Sequence, residues 1–223
     1  DPALPPRLRE TFAKAAAKYE LTAKGEAKLR KDLAKKGKPQ DLAGQVLGEG
    51  GELAVSLRVE GFVERGSTVR DLLLVQGSAK SELLATARQA LLGADPATLE
   101  AFMALARDKA AAKQPGLQVR GLDDIPDSVL QDLTLNKEIA DVVFKEGSAW
   151  GEVKNLGRLT TSEKLHSTAL GKSVFVQAQE NSLIQRLFGP KVKEYHYFFT
   201  DGITPDAAAQ LTRLGFVVHG VIR

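Results

Sequence analysis

Residues 140–155 read ADVVFKEGSAWGEVKN. The stretch carries Asp141 into an apolar run, turns near Gly147 and returns with Glu152 and Lys154 two residues apart. With their flanks, NKEIADVVFKEG reads as one strand and SAWGEVKNL as the next, which predicts a hairpin across Lys145–Ser148. Side chains alternate along a strand, so Glu152 and Lys154 share one face and Val153 enters the opposite layer. Hairpin pairing can set Asp141 beside them. Charges in such apolar company are costly unless they are paired or bound to a metal. Either the three side chains converge as a site, or they are a solvated surface pair that contributes little energy.

Downstream, TTSEKLHSTALGKSVFVQAQENSLIQRLFG predicts one long helix from 160 to about 188, capped by Thr161 or Ser162 and stopped by Gly189-Pro190. VKEYHYFFTDG predicts a strand with Tyr195, Tyr197 and Phe199 on one face. A helix in TPDAAAQLTRLG, ending at Gly215, and a last strand in FVVHGVIR follow. The order from residue 135 is β-β-α-β-α-β, which predicts an α/β (α+β) fold with a mixed sheet and helices against it.

Upstream the chain is mainly helical. Residues 7–37 read as helix, divided near Gly25 and stopped by GKPQ at 37–40. In DLAGQVLGEGGELAVSLRVEGFVERG, Leu47, Ala54, Leu57 and Val59 form an apolar helical stripe; Gly61 ends that helix and FVERG opens a strand. STVRDLLLVQG, 67–77, reads equally as a strand or a helical turn. Residues 79–113 return to helix, broken at Gly93 and restarted with Asp95 as N-cap and Pro96 in first position. A loop with one helical turn at 126–132 follows. The expected divisions are a basic helical segment at 1–44, a possible first helix and strand of the core at 45–66, a mostly helical insertion at 67–134, and the rest of the core at 135–223.

The chain has 223 residues, room for one large domain or two small ones. Its 43% hydrophobic and 26% charged residues are those of a globular protein. No apolar run approaches the roughly 20 residues of a membrane span. DPALPPRLRE lacks an initiator Met and the apolar core of a signal peptide, so the chain is expected to be a piece of a longer polypeptide. The absence of Cys excludes disulfides, thiolate metal sites and cysteine nucleophiles. His166, His196 and His219 are widely spaced and form no HExxH pattern, which argues against a zinc hydrolase. Any metal falls mainly to carboxylates, which favours magnesium or manganese. The formal net charge is +3 and the pI ≈ 9.0. Between Arg7 and Lys38, eleven basic residues face four acidic ones. Such a segment either tracks phosphates or forms a solvated helical face.

The hairpin residues suit one chemistry. Asp141 and Glu152 can hold a magnesium ion that polarises a phosphoryl oxygen and lowers the pKa of a bound water. Lys154 can orient or help deprotonate that water and offset charge on the pentavalent transition state. The trio is sufficient in principle for phosphodiester hydrolysis without Cys, Ser or His.

Asp141, ten residues and then Glu152-Val153-Lys154, lying between two strands and followed by a helix, resembles the PD-(D/E)XK nuclease superfamily. The resemblance implies a restriction-endonuclease-like core, a mixed sheet in α-β-β-β-α-β order. Residues 51–57, GELAVSL, followed by Gly61-Phe62-Val63, are similar to the family's first helix and strand. That likeness implies Glu52 as a further metal ligand. On the downstream helix it implies a polar companion to the site, Gln177 or Gln179. Ala140 stands where the family's Pro is expected, and about 70 residues separate the first-strand candidate from Asp141, far more than the family's usual connection. The resemblance covers 135–223, is weaker for 45–66 and is absent for 1–44.

EVKNLGRLTTSEKL is similar to nuclease domains at the C-termini of bacterial polymorphic toxins. The resemblance implies a secreted antibacterial DNase, delivered by a secretion system, acting in the target-cell cytoplasm and neutralised by a cognate immunity protein. The alternatives are a tRNA or other RNA nuclease of the same fold, or a non-catalytic module that binds nucleic acid or a partner. Of the remaining candidates, His166 reads as a phosphate contact or a surface residue. His196 and His219 alternate with apolar residues as structural or exposed groups. Trp150 reads as core or as a base-stacking ring. Tyr195 and Tyr197 read as a cover for the sheet.

Overall fold

The computed structural model describes residues 6–36, 42–68, 80–169, 172–188 and 192–220. Their centre is a five-stranded mixed sheet in the order β1-β2-β3-β4-β5. The strands are β1 (Glu64–Thr68), β2 (Glu138–Phe144), β3 (Ala149–Lys154), β4 (Glu194–Phe199) and β5 (Val217–His219). β1, β2 and β3 run antiparallel in sequence, whereas β3–β4 and β4–β5 are parallel. Parallel neighbours need a crossover, and helices supply it after β3 and after β4.

The expected hairpin forms. Lys145–Gly147 make its 3-10 turn, with Lys145 and Glu146 at φ 49 and 57 and Gly147 at φ 89. β3 pairs with both β2 and β4, so Glu152 is central and only 3% exposed.

Two helical layers cover the sheet. On one side α3 (Leu42–Arg58) crosses β1, β2 and β3. Behind it pack α1 (Pro6–Lys18) and α2 (Ala23–Lys36), around Phe12, Tyr19, Leu29, Val46 and Leu53. The division expected at 44/45 therefore falls inside α3. The other layer contains α4 (Lys80–Leu92), α5 (Pro96–Lys113), α6 (Asp127–Leu133), α7 (Ser162–His166), α8 (Val174–Phe188) and α9 (Pro205–Arg213). The helices of the expected insertion are built into this layer: Leu84, Leu91, Phe102 and Leu130 share one core with Trp150, Tyr195, Tyr197 and Ile184.

Local signals explain most boundaries. Asp95 caps α5 by accepting from Thr98 N at 3.0 Å, with Pro96 in its first position. Two expectations are corrected. Gly25 does not divide the first helices; it lies within α2. The break comes at Glu20, φ 50, and Thr22 accepts from Gly25 N at 3.2 Å, so the cap sets the start. The single helix at 160–188 is two helices. Thr161 caps a five-residue α7, which ends at His166 with Ser167 as its C-cap, and Ser173 accepts from Val176 N at the start of α8. Polar caps interrupt what composition alone reads as continuous. Residues 69–77 of the ambiguous STVRDLLLVQG stretch, the GKPQ turn and the Gly189-Pro190 stop lie outside the described residues.

Close approach between β3 and its neighbours needs Gly151. A Cβ there would lie 2.6 Å from Phe198 Cε2 and 2.9 Å from Val142 Cγ2. Gly151→Ala should therefore lower stability by about 1–3 kcal/mol through overpacking. Urea denaturation at constant m-value measures it; a midpoint equal to wild type would mean that the Phe198 ring yields freely.

Candidate active site

Strand alternation sends Trp150, Glu152 and Lys154 toward the α8 layer and Ala149, Gly151 and Val153 toward α3. Trp150 is 1% exposed and meets Tyr195 edge-on, with ring centroids 5.9 Å apart. It is core rather than a stacking platform. Beyond Trp150 the same face turns polar. Lys154 Nζ donates to Glu152 Oε2 at 2.7 Å and to Gln177 Oε1 at 3.0 Å. Gln177 stands in the first turn of α8 and also donates from Nε2 to Glu152 Oε2 at 3.4 Å.

Asn181, one helical turn later, donates to Glu152 Oε1 at 3.3 Å and reaches the Tyr195 and Tyr197 hydroxyls at 2.9 and 3.3 Å. Its Oδ1 is a buried acceptor with no partner among the described residues. The two tyrosines do cover the sheet, as expected, and also bound the carboxylate. Burial and the Glu152 charge push both phenol pKa values well up, so they remain hydrogen-bonding phenols.

Asp141 reaches the group through a break in the sheet. The β2–β3 ladder pairs Phe144 with Ala149, Val143 with Trp150 and Val142 with Gly151, and ends there. The Val153 N–H then donates to Asp141 Oδ2 at 2.6 Å. A side-chain carboxylate thus takes over from the backbone acceptor and is fixed beside the Glu152–Lys154 strand.

The electrostatics of the trio follow from its burial. Burial raises the Asp141 pKa well above the usual carboxylate range, and the Glu152 and Glu52 charges raise it further against the opposing effect of Lys154 and the Val153 N–H. Burial disfavours the Lys154 ammonium, but Glu152, Asp141 and Glu52 outweigh it and hold its pKa above the ordinary lysine value. Lys154 is therefore a fixed cation and a donor rather than a free base.

Glu52 arrives from α3, which small residues let approach the sheet: a Cβ on Gly51 would already lie 3.0 Å from Thr200 Cγ2 and 3.4 Å from Val153 Cγ1. Glu52 and Glu49 clamp Arg65 of β1, each at 2.6 Å from Nη2, and Asp32 of α2 adds a 3.3 Å contact to Nη1. These groups, with Asp141 and Glu138, line a cleft of about 560 Å³. On the other side of Lys154 is a second pocket of about 410 Å³, lined by Lys154, Arg158, Lys164, Lys172 and Gln177. The trio therefore separates a carboxylate-rich cleft from a cationic one. Among the described residues no group of three or more His, Asp or Glu side chains is disposed to hold a metal ion.

The chain matches no protein-family model, no curated protein and no solved structure.

Asp141, Glu152, Lys154 and Gln177 thus come together, and Glu52 reaches the adjoining cleft, where Arg65 holds it. Gln179 does not join them. It is exposed on another face of α8, beside Ala101 and Leu105 of α5. His166 bonds Gln210 Oε1 at 2.7 Å and lies against Phe175. His196 and His219 stack, with Nδ1 of the first 2.8 Å from Nε2 of the second, and Glu194 lies 3.0 Å from His196 Nε2. This pair belongs to the face carrying Phe144 and Phe198.

The basic N-terminal stretch is partly spent on ion pairs: Lys14 with Glu10, Lys18 with Asp201 and Arg30 with Glu26. Sequence reasoning missed Asn181, Arg65, Glu49 and the Arg158–Lys164–Lys172 group. Asn181 lies four residues after Gln177, on the same helical face, and that spacing was its one available signal. Among the described residues no helix is long and apolar enough to cross a membrane.

Proposed function

We propose that the chain is a metal-dependent nuclease that hydrolyses phosphodiester bonds at Asp141, Glu152 and Lys154. The observation that carries this reading is the Glu152–Lys154 pair, 2.7 Å apart, its carboxylate buried and its ammonium half-buried, with Asp141 anchored across from it on Val153 N. Neither hydrophobic burial nor surface solvation accounts for three charges gathered at the centre of a sheet. The order α3-β1-β2-β3-α8-β4, with α4–α6 inserted after β1, supports a restriction-endonuclease-like core. The likeness of EVKN at 152–155 to nuclease domains of polymorphic toxins extends the reading to a delivered DNase toxin with a cognate immunity protein.

A magnesium or manganese ion suits the donor set. Asp141 and Glu152 are hard oxygen donors; burial and then the Glu152 charge push the Asp141 pKa up, and a dication beside them relieves that repulsion. These two residues would hold the ion; Glu52 would join them only by giving up part of its contact with Arg65. Bound there, the ion supplies Lewis acidity toward a phosphoryl oxygen and a more acidic water. The protein's own part is positioning. Gln177 and Glu152 hold the Lys154 ammonium where it can donate to an oxygen that gains charge in the transition state. Asn181 orients Glu152 from behind.

The test is incubation with supercoiled plasmid and, separately, bulk tRNA, in magnesium and in EDTA. Magnesium-dependent loss of plasmid is the expected result. Loss of tRNA alone would keep the site and change the substrate, because both polymers present the same phosphate chemistry. Retarded migration of uncut plasmid in magnesium would replace the nuclease by a binding module.

A further inference from the structure

We propose, resting on the nuclease reading, that the pocket formed by Arg158, Lys164 and Lys172 seats a backbone phosphate next to the one being cut, making it the strand-anchoring subsite of the active site. Lys154 of the trio and its hydrogen-bond partner Gln177 both line this pocket, so a strand whose scissile phosphate meets Lys154 continues directly into it. None of its described lining residues is acidic, in contrast to the carboxylate-rich cleft on the other side. That asymmetry gives a polyanionic strand one favourable direction of exit.

The cations are not equivalent. Lys164 Nζ is turned back onto the Leu159 and Arg158 carbonyls at 3.0 and 3.5 Å, which stiffens the segment. Lys172 is paired with Glu180, which also takes Lys137 at 2.9 Å. Arg158 is exposed, and its guanidinium makes no hydrogen bond or ion pair among the described residues. A guanidinium fork that pairs with no carboxylate among the described residues matches the geometry of a phosphate. The fifteen-residue α8 also begins at this pocket, where Val174 lines it and Ser173 caps the first turn. Its positive end favours an anion at the same place. Arg158 is thus the main phosphate contact, Lys172 a second charge, and Lys164 a positioning residue for the segment that carries Arg158.

The experiment measures binding of a fluorescein-labelled single-stranded 20-mer, as DNA and as RNA, by anisotropy in EDTA. Wild type is compared with Arg158→Ala, Lys172→Ala and the control Lys14→Ala from the N-terminal helix. Arg158→Ala should weaken binding about tenfold and lower the slope of log K against log salt by about 1, with Lys172→Ala acting in the same direction. Lys14→Ala should change binding less than about twofold, since that side chain is already paired with Glu10. In magnesium, the same Arg158→Ala change should appear in KM rather than kcat. Wild-type affinity in both pocket variants, or no binding by wild type, overturns the subsite. Cleavage by wild type with an unchanged KM in Arg158→Ala removes the subsite and leaves the nuclease reading intact. Binding that needs Arg158, with no cleavage of either polymer by wild type, sinks the nuclease reading and with it the placement beside a scissile phosphate.

Discussion

Lys154→Met should reduce magnesium-dependent cleavage by about 10³-fold, because it removes the donor aimed at charge that develops in the transition state. It should also destabilise the fold. Glu152, 3% exposed, would lose its ionic partner at 2.7 Å, and an uncompensated buried charge costs about 3–5 kcal/mol. A plain loss of activity would therefore not separate chemistry from unfolding. The double variant Lys154→Met/Glu152→Gln does. It removes both charges at nearly constant volume, and such replacement of a buried pair is neutral or stabilising. Its urea midpoint should return to the wild-type value or above while cleavage remains absent. If the double variant recovers cleavage along with stability, the pair is structural and the site lies elsewhere. If the single variant is as stable as wild type, Glu152 is better solvated than its position implies.

Asp141→Asn should act on activity and stability in opposite directions. Cleavage should fall about 10²–10³-fold, since an amide is a poor donor to a hard dication. Stability near neutral pH should rise by about 0.5–2 kcal/mol. Burial and the neighbouring Glu152 and Glu52 raise the Asp141 pKa on folding, so its ionised form opposes the folded state. That penalty is absent below the unfolded-state pKa and grows as pH rises through the folded-state value. Asn keeps the acceptor for Val153 N and carries no charge. Thermal unfolding at acid and at neutral pH checks this: the variant's advantage should appear only toward neutral pH. An advantage independent of pH, or a loss of stability at neutral pH, would mean that the Asp141 carboxylate is not under strain from its neighbours.

Local chemistry made some of the molecule legible. Asp95-Pro96 announces the start of α5, because a side-chain acceptor and a proline both suit the first turn of a helix. Two apolar runs around Lys145–Ser148 announce the hairpin. The i, i+2 spacing of Glu152 and Lys154 places them on one face, since strand geometry alone decides it. Other features were illegible because a polar cap competes with the helix propensity around it, or because they depend on contacts between distant segments. Ser173 sits in a stretch whose composition reads as helix, and only its bond to Val176 N marks the break. α7 and α8 are separate helices, and the fold gathers Arg158, Lys164 and Lys172, spread over fifteen positions, around one pocket. Arg65 and Glu49 are unremarkable in one dimension and meet only because α3 lies across β1.

Local sequence specifies the class of elements, the hairpin, the shared face of Glu152 and Lys154 and, apart from the break between α7 and α8, the order after residue 135. Each depends on neighbours a few positions apart, where backbone periodicity and capping act. Packing of the layers fixes the rest: β3 lies between an antiparallel and a parallel neighbour, α4–α6 join the core rather than form a separate unit, and Asp141 closes the β2–β3 ladder with its side chain. Burial and pairing are properties of assembled layers. Glu152 became a buried carboxylate because β4 and α8 enclose it, and no window of sequence around it contains either.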